Sequence, residues 1–235
     1  MRGRLIYCLY MKGLKAFLAG FIPRRVSSKL VLGFLNFFSF RIPKRLREKH
    51  YRNNLEQWST CFTRAESGGF LEYQSLLTNL FFGNYPASYN SCEAIAVYNA
   101  EKALGKDVSF PYLLMNFENR GLALFGTFGT APKKIVRYFT DIGEKTESLI
   151  GKAVTEEAVD ALEKRFTVFV VTVYNDRTNI LAMIHTMCIT REETGFLVHN
   201  SGGAAEAKSS LFDALSSLGN GRALTICLIG VRERR

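Results

Sequence analysis

Cys92, His185 and Asn200 are residue types that together perform acyl transfer, and the chain presents them in the order nucleophile, base, orienter. Cys92 opens the stretch Tyr89-Asn90-Ser91-Cys92-Glu93-Ala94-Ile95-Ala96-Val97-Tyr98-Asn99-Ala100. Asn90 is a good N-cap, and Glu93 three residues on completes a capping box, so the pattern predicts Cys92 in a first helical turn. Unpaired N–H groups and the positive end of the macrodipole favour a thiolate there. His185 would take the thiol proton, and Asn200 would fix the ring's tautomer without adding charge. Plainer readings stand beside this one. Free cysteine is among the most buried residue types, and a strand histidine is often a satisfied core residue. Glu93 left unengaged would raise the thiol pKa.

The elements that must position these residues can be read from periodicity. Apolar residues cover most of the circumference of the Cys92 helix, as expected of a core helix ending at Gly105. Ser109 and Pro111 predict a helix over 111–120, and Thr130 predicts a capped helix over 131–142. A helix over 155–165 leads into a β-branched run, 166–174, that reads as a strand covered on both faces. Strands over 180–190 and 196–200 make an antiparallel meander with it, followed by a short helix at 209–218 and a last strand at 223–231. Alternation places His185 on one strand face with Met183 and Met187, and Asn200 with Phe196 and Val198; His199 then faces away from Asn200 and reads as exposed. Upstream, Gly68-Gly69 precedes a predicted helix over 69–82. Ser27 or Ser28 caps an apolar helix over 29–40, and Pro43 opens a basic helix in which His50 reads as solvated.

Cys92 at a helix start, Gly126-Thr127-Phe128-Gly129-Thr130-Ala131-Pro132 leading into a helix, His185 in an apolar strand, and Asn200 after Gly195-Phe196-Leu197-Val198 resemble the papain-like cysteine peptidases. Within them the likeness is to the bacterial leader peptidases of bacteriocin exporters and their stand-alone relatives, over residues 84–231. The resemblance implies an α+β fold in which a central cysteine-bearing helix packs on an antiparallel sheet. It also implies a Cys92, His185, Asn200 triad hydrolysing a peptide or protein substrate, with no cofactor. Gly126 and Gly129 would then line the peptide cleft. The family's glutamine before the cysteine is absent, so Asn84 or Asn90 would hold the oxyanion; the family's Asp-Pro is Asn200-Ser201 here. The same triad serves an acyltransferase. A catalytically silent relative that binds a peptide is the reading of another class.

The 31 Lys and Arg against 21 Asp and Glu give a net charge of +10 that is unevenly placed. Residues 1–50 hold twelve bases and one acid, Glu48, whereas the remaining 185 residues hold 19 bases and 20 acids. A near-neutral body argues against a nucleic-acid groove. The basic, apolar segment reads as an extension, 1–56, ahead of a peptidase-like domain, 57–235. It suits an anionic membrane surface, or packing on the domain or on a partner protein. Lys12 and Lys15 lie within the apolar run 5–22 rather than before it, unlike a signal peptide. Cys8, Cys61, Cys92, Cys188 and Cys227 have no paired spacing, so no zinc site or disulfide framework is expected, and reduced thiols fit a cytoplasmic protein at or near the inner membrane face. The glycine loop 125–130 lacks the lysine of a phosphate loop.

Overall fold

The computed structural model describes residues 26–179, 182–202 and 206–233. The elements in chain order are α1 (Ser28–Phe37), β1 (Ser39–Phe40), α2 (Lys44–Ala65), β2 (Glu66–Ser67), β3 (Phe70–Leu71), β4 (Phe81–Phe82), β5 (Tyr85–Pro86), α3 (Ala87–Asn90) and α4 (Cys92–Ala103). Then come α5 (Phe110–Arg120), β6 (Leu122–Ala123), α6 (Pro132–Asp141), β7 (Lys145–Ile150), α7 (Glu156–Glu163), β8 (Val168–Tyr174), β9 (Ile184–Glu192), β10 (Gly195–His199), α8 (Leu211–Ser217) and β11 (Leu224–Arg232). The fold is α+β. Five strands in the order β10-β9-β8-β11-β7 pair antiparallel throughout.

Two apolar layers sandwich this sheet, and side-chain alternation decides which residue joins which. Val168, Val170, Cys188, Cys227 and Ile229 face a core built from α4, α5 and α6. Phe169, Val171, Val173, Met187 and Ile189 face the second core, against Val159 and Leu162 of α7 and Leu211 and Ala214 of α8. β8, central among them, is buried at every position. So is α4 from Cys92 to Glu101, which makes it the core helix its composition predicts.

Capping hydroxyls set four other helix starts: Ser27, Ser109, Thr155 and Ser210 each accept a main-chain N–H three residues on. The helix expected over 69–82 is replaced by short strands and a single 3-10 turn, Gln74–Leu76. Its main-chain groups are claimed by distant side chains instead. Buried Asn99 of α4 takes the N–H of Leu71 and donates to its carbonyl, at 2.8 and 3.0 Å. Asn54 of α2 does the same for Phe81, at 2.8 and 2.9 Å. A local helix cannot compete once both partners of each amide are in place.

The proposed boundary at 56/57 falls inside α2, and that helix is bolted to the body. His50, expected to be solvated, is buried with Nδ1 2.6 Å from Glu118 Oε1, which also accepts the Gly83 N–H. The apolar run 5–22 lies outside the described residues. Among those described, no helix is long and apolar enough to cross a membrane.

Candidate functional site

Cys92 begins α4, but its local frame differs from the expected capping box. Asn90 closes the one-turn α3, and Ser91 is the N-cap residue of α4 without capping it; its hydroxyl donates to the Ala87 carbonyl at 2.7 Å. The Asn90 side chain donates to the carbonyls of Phe82 and Gly126, at 3.0 and 2.7 Å. Glu93 does not reach back to a cap. It is fully buried, and its Oε1 accepts the Thr130 N–H at 2.8 Å while Oε2 has no partner. Burial pushes its carboxyl up to about 7, against the pull of the Thr130 N–H.

These contacts explain the two glycines. An added Cβ would overlap the Asn90 amide at Gly126 and the Glu93 carboxylate at Gly129, and both backbones lie at positive φ, 103° and 64°. Gly126 and Gly129 therefore let the loop close over buried polar groups. Asn84 sits exposed at the β4–β5 turn, its N–H donated to the Phe125 carbonyl at 3.0 Å. Asn90, with its amide committed to two carbonyls, is a clamp between β4 and the glycine loop.

The thiol itself is only 6% exposed. Burial pushes it well above its ordinary value, the adjacent Glu93 carboxylate pushes the same way, and a main-chain hydrogen bond with Thr186 pulls it back only in part. Helix position alone would lower a thiol pKa; desolvation, reinforced by the Glu93 carboxylate, outweighs it.

His185 does not accompany the sulfur. In β9 the side chain opposite the start of α4 is Thr186, whose hydroxyl meets that of Thr172 at 3.0 Å. His185 is one residue out of phase. It pairs with Val173 and lies with Met187 and Val198 in a pocket on the far face of the sheet. The register of β8 against β9 is unbroken from Val168 to Tyr174, so no bulge re-aims the ring. Its Nε2 donates to the main-chain carbonyl of Asn200 at 2.8 Å, and burial lowers its pKa, holding it neutral.

Asn200 therefore does meet His185, through its main chain. Its side-chain amide is engaged with Gln74: Nδ2 donates to Oε1 at 3.2 Å, and Oδ1 accepts the Gln74 N–H at 3.4 Å. A positive φ of 60° at Asn200 turns the chain after β10 and aims the carbonyl at the ring. Cys92 is not brought together with His185 and Asn200.

His199, read as exposed, is 1% exposed and occupies the α4 face of the sheet. It stacks on Phe70, ring centroids 4.1 Å apart, with Nδ1 2.6 Å from Glu72 Oε1 and Nε2 2.9 Å from Thr190 Oγ1. Glu72 Oε2 accepts the Asn200 N–H at 2.6 Å, and Thr190 donates to Glu192 at 2.6 Å. The signal for this was present: His199 pairs with Cys188, so it shares the face that a buried cysteine occupies. Among the described residues no group of three or more His, Cys, Asp or Glu is placed to hold a metal.

The His185 pocket encloses about 460 Å³. Val173, Met187, Val198 and Leu218 give it an apolar floor; Asn175, Glu206 and Lys208 add polar groups to its lining. No family model, curated protein or solved structure matches the chain.

Proposed function

We propose that this chain is a papain-like, leader-peptidase-like domain that binds a peptide without cleaving it. The observation that carries the reading is the phase of β9, which sets His185 and Cys92 on opposite faces of the sheet. A thiol with a raised pKa, beside a carboxylate and without an imidazole, is a poor nucleophile at neutral pH. The His185 pocket is the recognition site: an apolar floor with a neutral imidazole and a few polar groups is the ordinary composition of a small-ligand or side-chain pocket. Attachment to an anionic membrane face through residues 1–50 belongs to the same proposal, supported by Leu30 and Phe37 of α1, 55% and 78% exposed.

A second reading, the working cysteine peptidase or an acyltransferase with the same triad, is favoured by one feature. Met183, just before β9, has a positive φ of 62°, so the strand begins at a strained residue next to the ring. A one-residue slip of that end would exchange His185 for Thr186 at the thiol. Alkylation of Cys92 from pH 5 to 9, in the parent and in His185→Ala, separates the two. The binder predicts two coincident, slow curves through pH 9. Fast reaction at pH 6 that vanishes in His185→Ala establishes the peptidase instead. For binding, a casein digest should remain uncut by mass spectrometry while slowing hydrogen exchange at 173–175 and 185–187; no protection there sinks the peptide pocket.

A further inference from the structure

Among the cavities formed by the described residues, one of about 580 Å³ is lined from β1, α5 and α6 and has a cationic wall. Arg41, Arg120, Lys133, Lys134 and Arg137 line it with one carboxylate, Asp141: five positive groups against one negative, a net of +4. Arg120 and Lys134 are held in place, whereas Arg41, Lys133 and Arg137 are exposed at the rim. Arg120 pairs with Asp141 at 2.8 Å and donates through Nε to Asn116 Oδ1 at 2.6 Å. Lys134 donates to the Arg120 carbonyl, and Arg47 donates to Asn119 Oδ1. Both asparagines line the pocket and have given their carbonyl oxygens to arginines, which leaves their amide N–H groups as donors. Ser39 Oγ, also in the lining, is buried without a partner.

Such an arrangement is costly when empty. Lys133 and Lys134 occupy the first turn of α6, where the macrodipole disfavours cations and no acid or side-chain cap offsets them. Burial, followed by Lys133, Arg41, Arg120 and Arg137, depresses the Lys134 pKa, so the cluster repels itself. A single carboxylate would leave most of that charge uncompensated. Forked guanidinium groups, ammonium groups and neutral N–H and O–H donors around one cavity match the several charges and many acceptors of phosphate.

We propose that the pocket between β1, α5 and α6 binds a phosphate-bearing anion through Arg41, Arg120, Lys133, Lys134 and Arg137. Two sources share this chemistry, a soluble polyphosphate and a phospholipid headgroup. Exposed Phe40, next to Ser39 and Arg41 in the chain, stacks on exposed Phe125 at 5.1 Å and would suit the second.

The test uses the full chain and the double variant Lys133→Gln/Arg137→Gln, whose two positions are exposed, so folding should be unaffected and is checked by thermal melting. Inorganic pyrophosphate is titrated by calorimetry at low and high salt. Flotation follows with vesicles of phosphatidylcholine alone or mixed with phosphatidylglycerol. Pyrophosphate binding that weakens at least about tenfold in the variant assigns a soluble phosphate ligand. Flotation with the anionic vesicles alone, lost in the variant and without pyrophosphate binding, assigns a headgroup. Both losses together assign the shared site. The proposal is overturned if neither probe binds, or if binding is the same in the variant; flotation unchanged by the variant belongs to residues 1–50.

Discussion

The two faces of the central sheet treat their polar groups differently. On the α4 face, polar side chains near the strands are tied down: Glu93 to Thr130, His199 between Glu72 and Thr190, and Thr186 to Thr172. On the opposite face His185 spends one nitrogen on a carbonyl and turns its ring to an open pocket. The closed face holds Cys92, the candidate nucleophile that starts a helix, and the open face holds His185, the candidate base with room beside it. Burial of polar groups therefore marks structural work here, and the unfilled space lies where the ring is.

The largest expected effect on this contrast comes from Gly129→Ala. A methyl group overlaps the Glu93 carboxylate at a positive φ, so we expect a loss of about 3 kcal/mol or more in urea unfolding. A loss under about 1 kcal/mol would mean the loop is not packed on Glu93.

Next is the pH dependence. Glu93 carries a folded-state pKa of about 7 against an ordinary 4.5, so the folded chain binds the proton more tightly than the unfolded one. Its contribution is favourable in acid and is lost as pH rises from 4.5 to 7, on the order of 3 kcal/mol in total. Glu93→Gln keeps an acceptor for Thr130 and removes the titration. The stability difference between Gln and Glu should grow over that window and level off above it; parallel profiles would place the carboxyl in water.

Removing the two strand histidines sharpens the comparison. His199→Ala takes one partner each from the Glu72 carboxylate and the Thr190 hydroxyl and opens a hole under Phe70, and should cost about 2–3 kcal/mol. His185→Ala loses one bond to a main-chain carbonyl beside a pocket and should cost about 1 kcal/mol. Equal costs would erase the distinction between the faces.

The smallest effect is reserved for Asn200→Gly. Glycine keeps the positive φ and the carbonyl that His185 uses, and loses only the contacts to Gln74. Stability should change by about 1 kcal/mol or less, and the His185 ring should keep its tautomer by nitrogen NMR. A changed tautomer would show that the side chain orients the ring.

Much of the architecture is written in local pattern. The all-round apolar helix after Cys92, the hydroxyl caps at Ser27, Ser109 and Thr155, and the meander through Tyr174 and His199 follow from periods of 3.6 and 2 and from cap chemistry. β7 carries no such signal; its half-exposed, mixed residues pair only because β11 offers an edge. The helix expected over 69–82 failed because Asn54 and Asn99, distant in sequence, satisfy its main chain.

The sequence by itself determined that a cysteine starts a core helix and that a histidine and an asparagine follow in consecutive strands or at their end. Only the tertiary structure decided which way they face. Side chains alternate every residue along a strand, so the pairing of His185 with Val173, rather than the composition of either strand, puts the ring behind the sheet. The same holds for His199 and His50, whose burial depends on Glu72 and Glu118 arriving from remote segments with a compensating oxygen.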